Sequence, residues 1–315
     1  MGWIIDAAMI SGKGKIRDNN EDSYYFNGQK SSLETINKDN SFHIKESTKY
    51  SLWAICDGMG GYDNGEIASN LVVSSMERLQ KKLKGRDFST IITEWSRTVN
   101  QEVYRQTLGG GCTLALLYFQ TNYAYLAHIG DSRIYRLHNK ELKRLTRDHS
   151  KVELLVATGK ITEEEAQNHP QKNIITRYLG MDNDSICDAT IGDRCPIIPG
   201  DIYLLCSDGI TDMLDDNTVR NILISNLDAS NAAQTIYNEA MRKGGRDNAT
   251  IIILKILNET TDNEDSTNED EPTVPNKETK AKGISVQISG NAQATVNCKV
   301  VLGNSPSNVN IAIEQ

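Results

Sequence analysis

Four aspartates in this sequence share a local context in which carboxylates can bind metal ions. Each adjoins a glycine or a glycine-rich turn near one end of an apolar run: Asp57, Asp131, Asp208 and Asp247. Carboxylates held at several neighbouring strand ends form a negatively charged pocket, and their mutual repulsion is relieved by a hard divalent cation. Carboxylate, carbonyl and water oxygens suit Mg²⁺ or Mn²⁺. One Asp–Gly pair is commonly only a turn, so the prediction depends on four such sites and on the nearby pair Glu21 and Asp22.

No group of His and Cys residues in the sequence has the spacing of a zinc site. The six cysteines include no C-x-x-C pair, and several lie inside apolar runs, which predicts buried free thiols in a reducing compartment. The first residues show no signal-peptide pattern, and no run approaches the roughly 20 apolar residues of a membrane span. These features predict a cytoplasmic protein with no membrane partner.

The elements that position the aspartates are short apolar strands and amphipathic helices. Strands are predicted at residues 50–56, 113–119, 123–129, 134–137, 141–145, 201–206 and 250–256. Helices are predicted at residues 65–84, 88–106, 216–225 and 229–242, with a helical stretch at 149–169 that breaks at Gly159 and restarts behind the cap Thr162. Hairpins mixed with long helices predict sheets covered by helices on their outer faces rather than a regular alternating parallel fold.

Charge and composition divide the chain into three parts. The formal net charge is -8, which argues against nucleic acid as a partner because phosphate backbones recruit basic surfaces. Eight acids against three lysines between residues 259 and 282 give -5 in that stretch alone. We therefore predict a catalytic domain at 1–256, an acidic disordered linker at 257–282, and a small β-rich segment at 283–315. The segment alternates polar and apolar residues at 284–288, 296–302 and 309–313, and we expect it to bind a protein partner.

Eight segments of the sequence, in order, resemble the motifs of the type 2C, metal-dependent (PPM) protein phosphatase family in its bacterial form. They are residues 17–22 (RDNNED), 57–61 (DGMGG), 111–113 (GCT), 130–133 (GDSR), 145–150 (LTRDHS), 173–180 (NIITRYLG), 207–212 (SDGITD) and 245–250 (GRDNAT). The likeness spans residues 6–256. It implies an α+β fold, with a central β-sandwich of two mainly antiparallel sheets flanked by helices on both sides (α-β-β-α).

The resemblance also implies a ligand set for two Mn²⁺ or Mg²⁺ ions per active site. Asp57 is expected to bridge both ions, and the carbonyl of Gly58 to complete the first site. Asp208 and Asp247 are expected to hold the second ion. Asp131, together with Asp208, is expected to contribute to a third, weaker site.

Further roles follow from the same resemblance. Glu21 and Asp22 are expected to act on the metals through water, and Arg17 to bind the substrate phosphate, for which its planar fork is suited. Animal members carry a general-acid His where this chain has Met59, so the leaving group is expected to take its proton from a metal-bound water. His149 is an alternative acid, although a His in that motif more commonly anchors the following loop by hydrogen bonding.

The predicted function is hydrolysis of phosphoserine and phosphothreonine in proteins by a water activated between two divalent ions, opposing a serine/threonine kinase. The phosphorylated proteins and that kinase are the expected partners. Residues 150–171 resemble the flap that lies beside the active site in the family.

Three other functions are alternatives to a phosphatase. An aspartyl-phosphate hydrolase needs Asp-x-Asp, whereas this chain has Asp57-Gly58-Met59. A pseudophosphatase that only binds would lack a metal aspartate, and none is missing. An adaptor role for the terminal strands is compatible with catalysis.

Overall fold

The computed structural model describes residues 2–60, 64–107, 109–182, 187–226, 228–260, 297–302 and 305–310. The chain divides into two compact units, Met1–Asn263 and Glu264–Gln315. None of the helices in the described part of the chain is long and apolar enough to cross a membrane.

The first unit contains fifteen strands among its described residues. They are β1 (Gly2–Gly12), β2 (Ser23–Phe26), β3 (Gln29–Lys30), β4 (Asn40–Thr48), β5 (Tyr50–Cys56), β6 (Gly58–Met59), β7 (Gly111–Cys112), β8 (Leu114–Gln120), β9 (Tyr123–Ile129), β10 (Arg133–His138), β11 (Glu141–Arg144), β12 (Thr190–Ile191), β13 (Cys195–Pro196), β14 (Ile202–Cys206) and β15 (Ala249–Thr260). The helices are α1 (Asn64–Leu83), α2 (Phe88–Thr107), α3 (Lys151–Ala157), α4 (Glu163–Gln167), α5 (Asp208–Thr211), α6 (Asp216–Ser225) and α7 (Ala229–Arg242).

Two antiparallel sheets form the centre of this unit. One has the strand order β11-β10-β14-β15-β1-β4, and the other has the order β12-β9-β8-β5-β2-β3, with β13 also paired to β9. Every strand pair with a described register is antiparallel, as the hairpin pattern predicted. The short strands β6 and β7 pair separately at the end of β5.

The hydrophobic core has three layers, and the strand period of two assigns residues to them. On β5, Leu52 and Ala54 face a core shared with α1 and α2, whereas Trp53 and Ile55 face the core between the two sheets. A third core lies between the first sheet and helices α6 and α7. Because successive side chains of a strand point to opposite faces, a strand buried on both faces reads as a continuous apolar run. The predicted α-β-β-α sandwich is confirmed.

Most predicted elements are observed within two residues of their predicted ends. The clearest difference lies before residue 50, where β1, β2 and β4 form although no strand was predicted there. Among the predicted elements, β15 was predicted to end at Ile256 but continues to Thr260. Its last residues pair with the start of β1, from Gly2 to Ile4, beyond a register shift at Ile4/Ile5. The partner strand therefore extends β15 into polar sequence that the local pattern excluded. The predicted domain boundary at residues 256 and 257 stays a prediction.

The second unit contains one described hairpin, β16 (Asn297–Leu302) with β17 (Ser305–Asn310). The first strand was predicted. The second begins earlier than the predicted 309–313, because residues 305–308 pair with residues 299–302 of β16. The strand predicted at 284–288 and residues 261–282 of the predicted linker (257–282) lie outside the described residues.

Candidate metal centre

Asp57 stands where β5 leaves the second sheet, and its backbone is fixed by one neighbour. Its N–H donates to Thr113 Oγ1 at 2.9 Å, and its carbonyl accepts the N–H of Thr113 at 2.9 Å. The next residue, Gly58, lies against the start of α1: a Cβ there would come within 2.3 Å of the Gly65 carbonyl oxygen and 2.6 Å of the Glu21 carbonyl oxygen. Glycine is therefore required by close packing, which also brings Glu21 beside Asp57.

Asp208 and Asp247 lie at one end of two paired strands of the first sheet. Asp208 follows β14 and opens α5, and Asp247 precedes β15. A Cβ on Gly209 would lie 1.9 Å from the Asn248 carbonyl oxygen, so glycine is what permits the two strand ends to approach this closely. Asp247 accepts from the Asn248 N–H at 2.8 Å and from Arg17 Nη2 at 2.7 Å.

Asn248 holds the loop that carries Arg17, Glu21 and Asp22, a role that sequence analysis missed. Its Oδ1 accepts the Glu21 N–H at 2.8 Å, and its Nδ2 donates to the carbonyls of Lys13 at 3.1 Å and Asn19 at 2.8 Å. A buried amide can satisfy several backbone groups at once because it carries both donors and an acceptor. The sequence contained Asn248 within a motif, but no local signal showed that its partners lie more than 220 residues earlier.

Asp22 is completely buried between the two sheets' ends. Its Oδ2 accepts the Ser207 hydroxyl at 2.7 Å, while its Oδ1 has no hydrogen-bond partner among the described residues. Burial raises the pKa of Asp22 to about 7, aided by the charges of Asp247 and Glu21 and opposed by the hydrogen bonds that Thr250 and Ser207 donate. A buried carboxylate oxygen without a donor is costly unless a cation approaches it.

Asp131 lies in the turn between β9 and β10. The neighbouring Ser132 hydroxyl is 2.7 Å from Thr113 Oγ1, the same oxygen that accepts the Asp57 N–H, so the two aspartates share an anchor. Burial, with the charge of Asp148, raises the pKa of Asp131 to about 6. Its buried Oδ1, like that of Asp22, has no hydrogen-bond partner within the described part of the chain.

The carboxylates lie close enough to influence one another strongly. Burial raises the pKa of Asp57 well above its usual range, and four further carboxylates add to the rise: Asp22, Asp208, Asp131 and Asp247. Burial likewise raises the pKa of Asp208, with Asp131 and Asp247 as the next causes. Like charges that raise one another's pKa in this way favour an arrangement that a cation neutralises. The structure therefore brings all five aspartates into one electrostatic cluster.

This cluster fits hard divalent cations by the chemistry of its donors. It consists of carboxylates, and two of its buried oxygens, on Asp22 and Asp131, have no hydrogen-bond partner among the described residues. As the side chains stand, no three Asp, Glu, His or Cys residues of the described ranges are arranged to ligate one ion. Asp247, for example, directs both of its oxygens to Arg17 and to the Asn248 N–H. The assignment of individual ligands therefore stays a prediction.

Arg17 is a positively charged side chain at the rim of the carboxylate cluster. Its side chain is 51% exposed and its Nη2 donates to Asp247 Oδ2 at 2.7 Å. A half-exposed guanidinium beside a carboxylate cluster is placed to meet an anion arriving from solvent.

The segment predicted to be a flap forms two short helices beside this site. α3 is capped by Ser150, and Gly159 takes φ +68° between α3 and α4. The predicted cap at Thr162 is confirmed as a capping box with Glu165. Directly after the flap, Lys172 Nζ pairs with Asp212 Oδ2 at 2.9 Å, which ties the C-terminal end of the flap to the end of α5. Gly61 of the second motif lies outside the described residues.

Comparison with known proteins identifies the family. A family model described as "Protein phosphatase 2C" matches residues 30–243. The serine/threonine phosphatase stp of Listeria welshimeri is 34% identical over 229 residues, which are 70% of this chain and 90% of that protein. The chain belongs to the protein phosphatase 2C family. It is a bacterial-type, metal-dependent protein serine/threonine phosphatase.

Two solved structures carry the same fold. The crystal structure of the Mycobacterium tuberculosis serine/threonine phosphatase PstP/Ppp has a TM-score of 0.67 at 32% identity, and covers 81% of this chain and 100% of its own. The catalytic domain of PstP in complex with two manganese ions has a TM-score of 0.66 at 31% identity, with 81% and 99% covered. This likeness and the acidic cluster support two divalent metal ions as the cofactor of this phosphatase.

Proposed function

We propose that this phosphatase hydrolyses phosphoserine and phosphothreonine in protein substrates and thereby opposes a serine/threonine kinase of the same cell. The observation that carries the proposal is the cluster of five aspartates with Arg17 at its rim. Two divalent cations, Mn²⁺ or Mg²⁺, would supply Lewis acidity that activates a water and neutralises charge on the phosphoryl oxygens. The protein side of the chemistry is then positioning and electrostatics.

Each residue has a proposed part in that arrangement. Asp57 would contribute to both cation sites, the Gly58 carbonyl would complete the first, and Asp208 and Asp247 would hold the second cation. Asp131 would contribute to a third, weaker site. These assignments are supported by the shared electrostatic field and by the Asp131 oxygen that has no donor.

The loop at 17–22 would handle substrate and water. Arg17 would turn its exposed fork to the substrate phosphate, because a guanidinium pairs two parallel N–H groups with phosphate oxygens. Glu21 and Asp22 would orient water at the site, and the raised pKa of each, caused first by burial, is relieved when positive charge is near. Met59 offers no proton to the leaving group.

A cytoplasmic location stays a prediction, supported by the free thiols of the described cysteines. The role of residues 283–315 in binding a protein partner is likewise a prediction. Deleting residues 264–315, which leaves β15 intact, would test it: loss of a partner with activity intact supports the role, and unchanged partner binding contradicts it.

The decisive test is hydrolysis of a phosphothreonine peptide with Mn²⁺, with a chelator, and by Asp208→Asn. We expect activity that requires the metal and falls by at least about 10³-fold in the variant. Asp193→Asn, which replaces an exposed aspartate outside the cluster, is the matched control and should keep wild-type activity. Metal-independent hydrolysis, or a strict preference for phosphotyrosine peptides, would contradict the proposal.

A further inference from the structure

A single residue, His149, holds both peptide groups of the glycine that precedes Asp131. The Gly130 N–H donates to His149 Nδ1 at 3.0 Å, and the Gly130 carbonyl accepts the His149 N–H at 2.9 Å. Gly130 has φ +93°, and a Cβ there would lie 2.7 Å from Thr113 Cγ2. The turn thus needs glycine, which contributes no side chain to fix it, and His149 fixes it from outside.

The hydrogen bonds define the protonation state of this imidazole. Because a backbone N–H can only donate, Nδ1 is an acceptor and the ring carries its proton on Nε2. Nε2 lies 3.0 Å from Thr190 Oγ1, which accepts that proton's bond. Arg177 Nη1 is 3.3 Å from the same nitrogen and donates to Thr190 Oγ1 at 3.2 Å, and its positive charge disfavours a second proton on the ring. The ring also stacks on His128 with centroids 4.7 Å apart. A neutral ring with Nδ1 occupied by Gly130 is not arranged to act as a general acid.

His149 also directly precedes the flap (residues 150–171) and contacts the segment that follows it. Its carbonyl accepts the Thr176 N–H at 2.7 Å. The next residue, Ser150, caps α3 and forms an isolated bridge with Ile175. His149 therefore contacts the turn before Asp131 on one side, and on the other it joins the start of the flap to the segment after it.

We propose that His149 is a positioning residue that acts through Gly130 to place the Asp131 carboxylate and to register the flap against it. The inference rests on the proposed function of the site, since it concerns a residue expected to bind metal. The group responsible for this role is the Nδ1 atom of His149, which accepts the Gly130 N–H. Removing a hydrogen bond that orients a metal-binding group typically lowers metal affinity or activity by about 10–100-fold.

Two amide substitutions separate the proposed role from a merely structural one. The Oδ1 of His149→Asn can occupy the place of Nδ1 and accept the Gly130 N–H, whereas the longer amide of His149→Gln reaches the place of Nε2. We expect the Asn variant to keep kcat within about threefold of wild type. We expect the Gln variant to lose about 10–100-fold in kcat and to need more Mn²⁺ for half-maximal activity, with KM for the peptide little changed. Thr190→Val, which leaves the Gly130 contact in place, is the control and should resemble wild type.

The outcomes distinguish a failure of the proposed function from a failure of the positioning role of His149. If the wild-type enzyme shows no metal-dependent hydrolysis, the proposed function fails. If the wild type is active but the Asn and Gln variants have equal kcat and equal Mn²⁺ dependence, the positioning role is overturned. Thermal melting is followed for each variant. Should His149→Gln fail to fold, the Asn variant decides: a folded but inactive Asn variant overturns the proposal, and an active one supports it and excludes His149 as the acid.

Discussion

Substitution of Arg17 should separate catalysis from stability. The Arg17 side chain is 51% exposed and that of Asp247 is 34% exposed, at an Nη2–Oδ2 distance of 2.7 Å. An ion pair this open to solvent contributes about 0–1 kcal/mol to folding, because water and salt screen it. Arg17→Ala is therefore expected to change the free energy of unfolding by less than about 1 kcal/mol.

The effect on activity should be larger. If the guanidinium pairs with the substrate phosphate, the variant loses charge-assisted hydrogen bonds of about 1.5–3 kcal/mol, which corresponds to a fall of about 10–150-fold in kcat/KM. Arg17→Lys keeps a positive charge near Asp247 but lacks the planar fork, so an intermediate loss is expected.

The assay is steady-state hydrolysis of a phosphothreonine peptide at several Mn²⁺ concentrations, with urea unfolding of the same samples. A kcat/KM of Arg17→Ala within about twofold of wild type would refute the phosphate-binding role. Recovery of activity at high Mn²⁺ would show instead that Arg17 acts through Asp247 on the metal. A loss of more than about 2 kcal/mol in unfolding free energy would refute the argument from exposure.

Three further predictions concern the stability of the folded chain. Asp201 is 1% exposed and accepts Arg136 Nε at 2.9 Å, so Asp201→Asn, which removes the negative charge that faces this partly buried guanidinium, should cost about 1.5–3 kcal/mol in urea unfolding. Burial, with His128 and Arg177 nearby, lowers the pKa of His149 to about 3, so below pH 6.5 the unfolded chain takes up a proton that the folded chain does not. This ring should therefore make stability fall on acidification by about 0.7–1.4 kcal/mol per pH unit, allowing for its partial exposure, as measured by melting between pH 6.5 and 4. Mn²⁺ at about 100 times its dissociation constant should stabilise the fold by about 2.7 kcal/mol in thermal unfolding.

Each of these has a control in the same chain. Asp201→Asn is compared with the exposed Asp193→Asn, and equal stability of the two would contradict the buried-pair argument. The loss of stability per pH unit on acidification should be smaller in His149→Asn, which has no titrating ring. An unchanged loss would assign the pH dependence to other groups. Stabilisation by Mn²⁺ that persists undiminished in Asp208→Asn would place the ion elsewhere.

Most elements of the sandwich after residue 50 were predictable from the sequence because their signals are local, whereas β1, β2 and β4 were not predicted. β5 and β14 are continuous apolar runs that end next to aspartate and glycine, and α1 and α2 show helical spacing. Period-two and helical patterns report which face is buried, and burial is what stabilises each element. The ends of β15 and β17 were not predictable, because a partner strand decided them.

The candidate site shows the same division. Residue type and order were sufficient to predict the aspartates as metal ligands. One aspartate beside a glycine commonly marks only a turn, whereas four of them at the ends of apolar runs indicate a shared metal site. Sequence could not show that Asn248 holds the loop of Glu21, or that His149 holds Gly130 through an acceptor nitrogen. The direction of a hydrogen bond and the pKa of a buried carboxylate depend on neighbours from distant parts of the chain. Those neighbours meet only when the two sheets pack, so tertiary structure alone decides how the nominated residues act together.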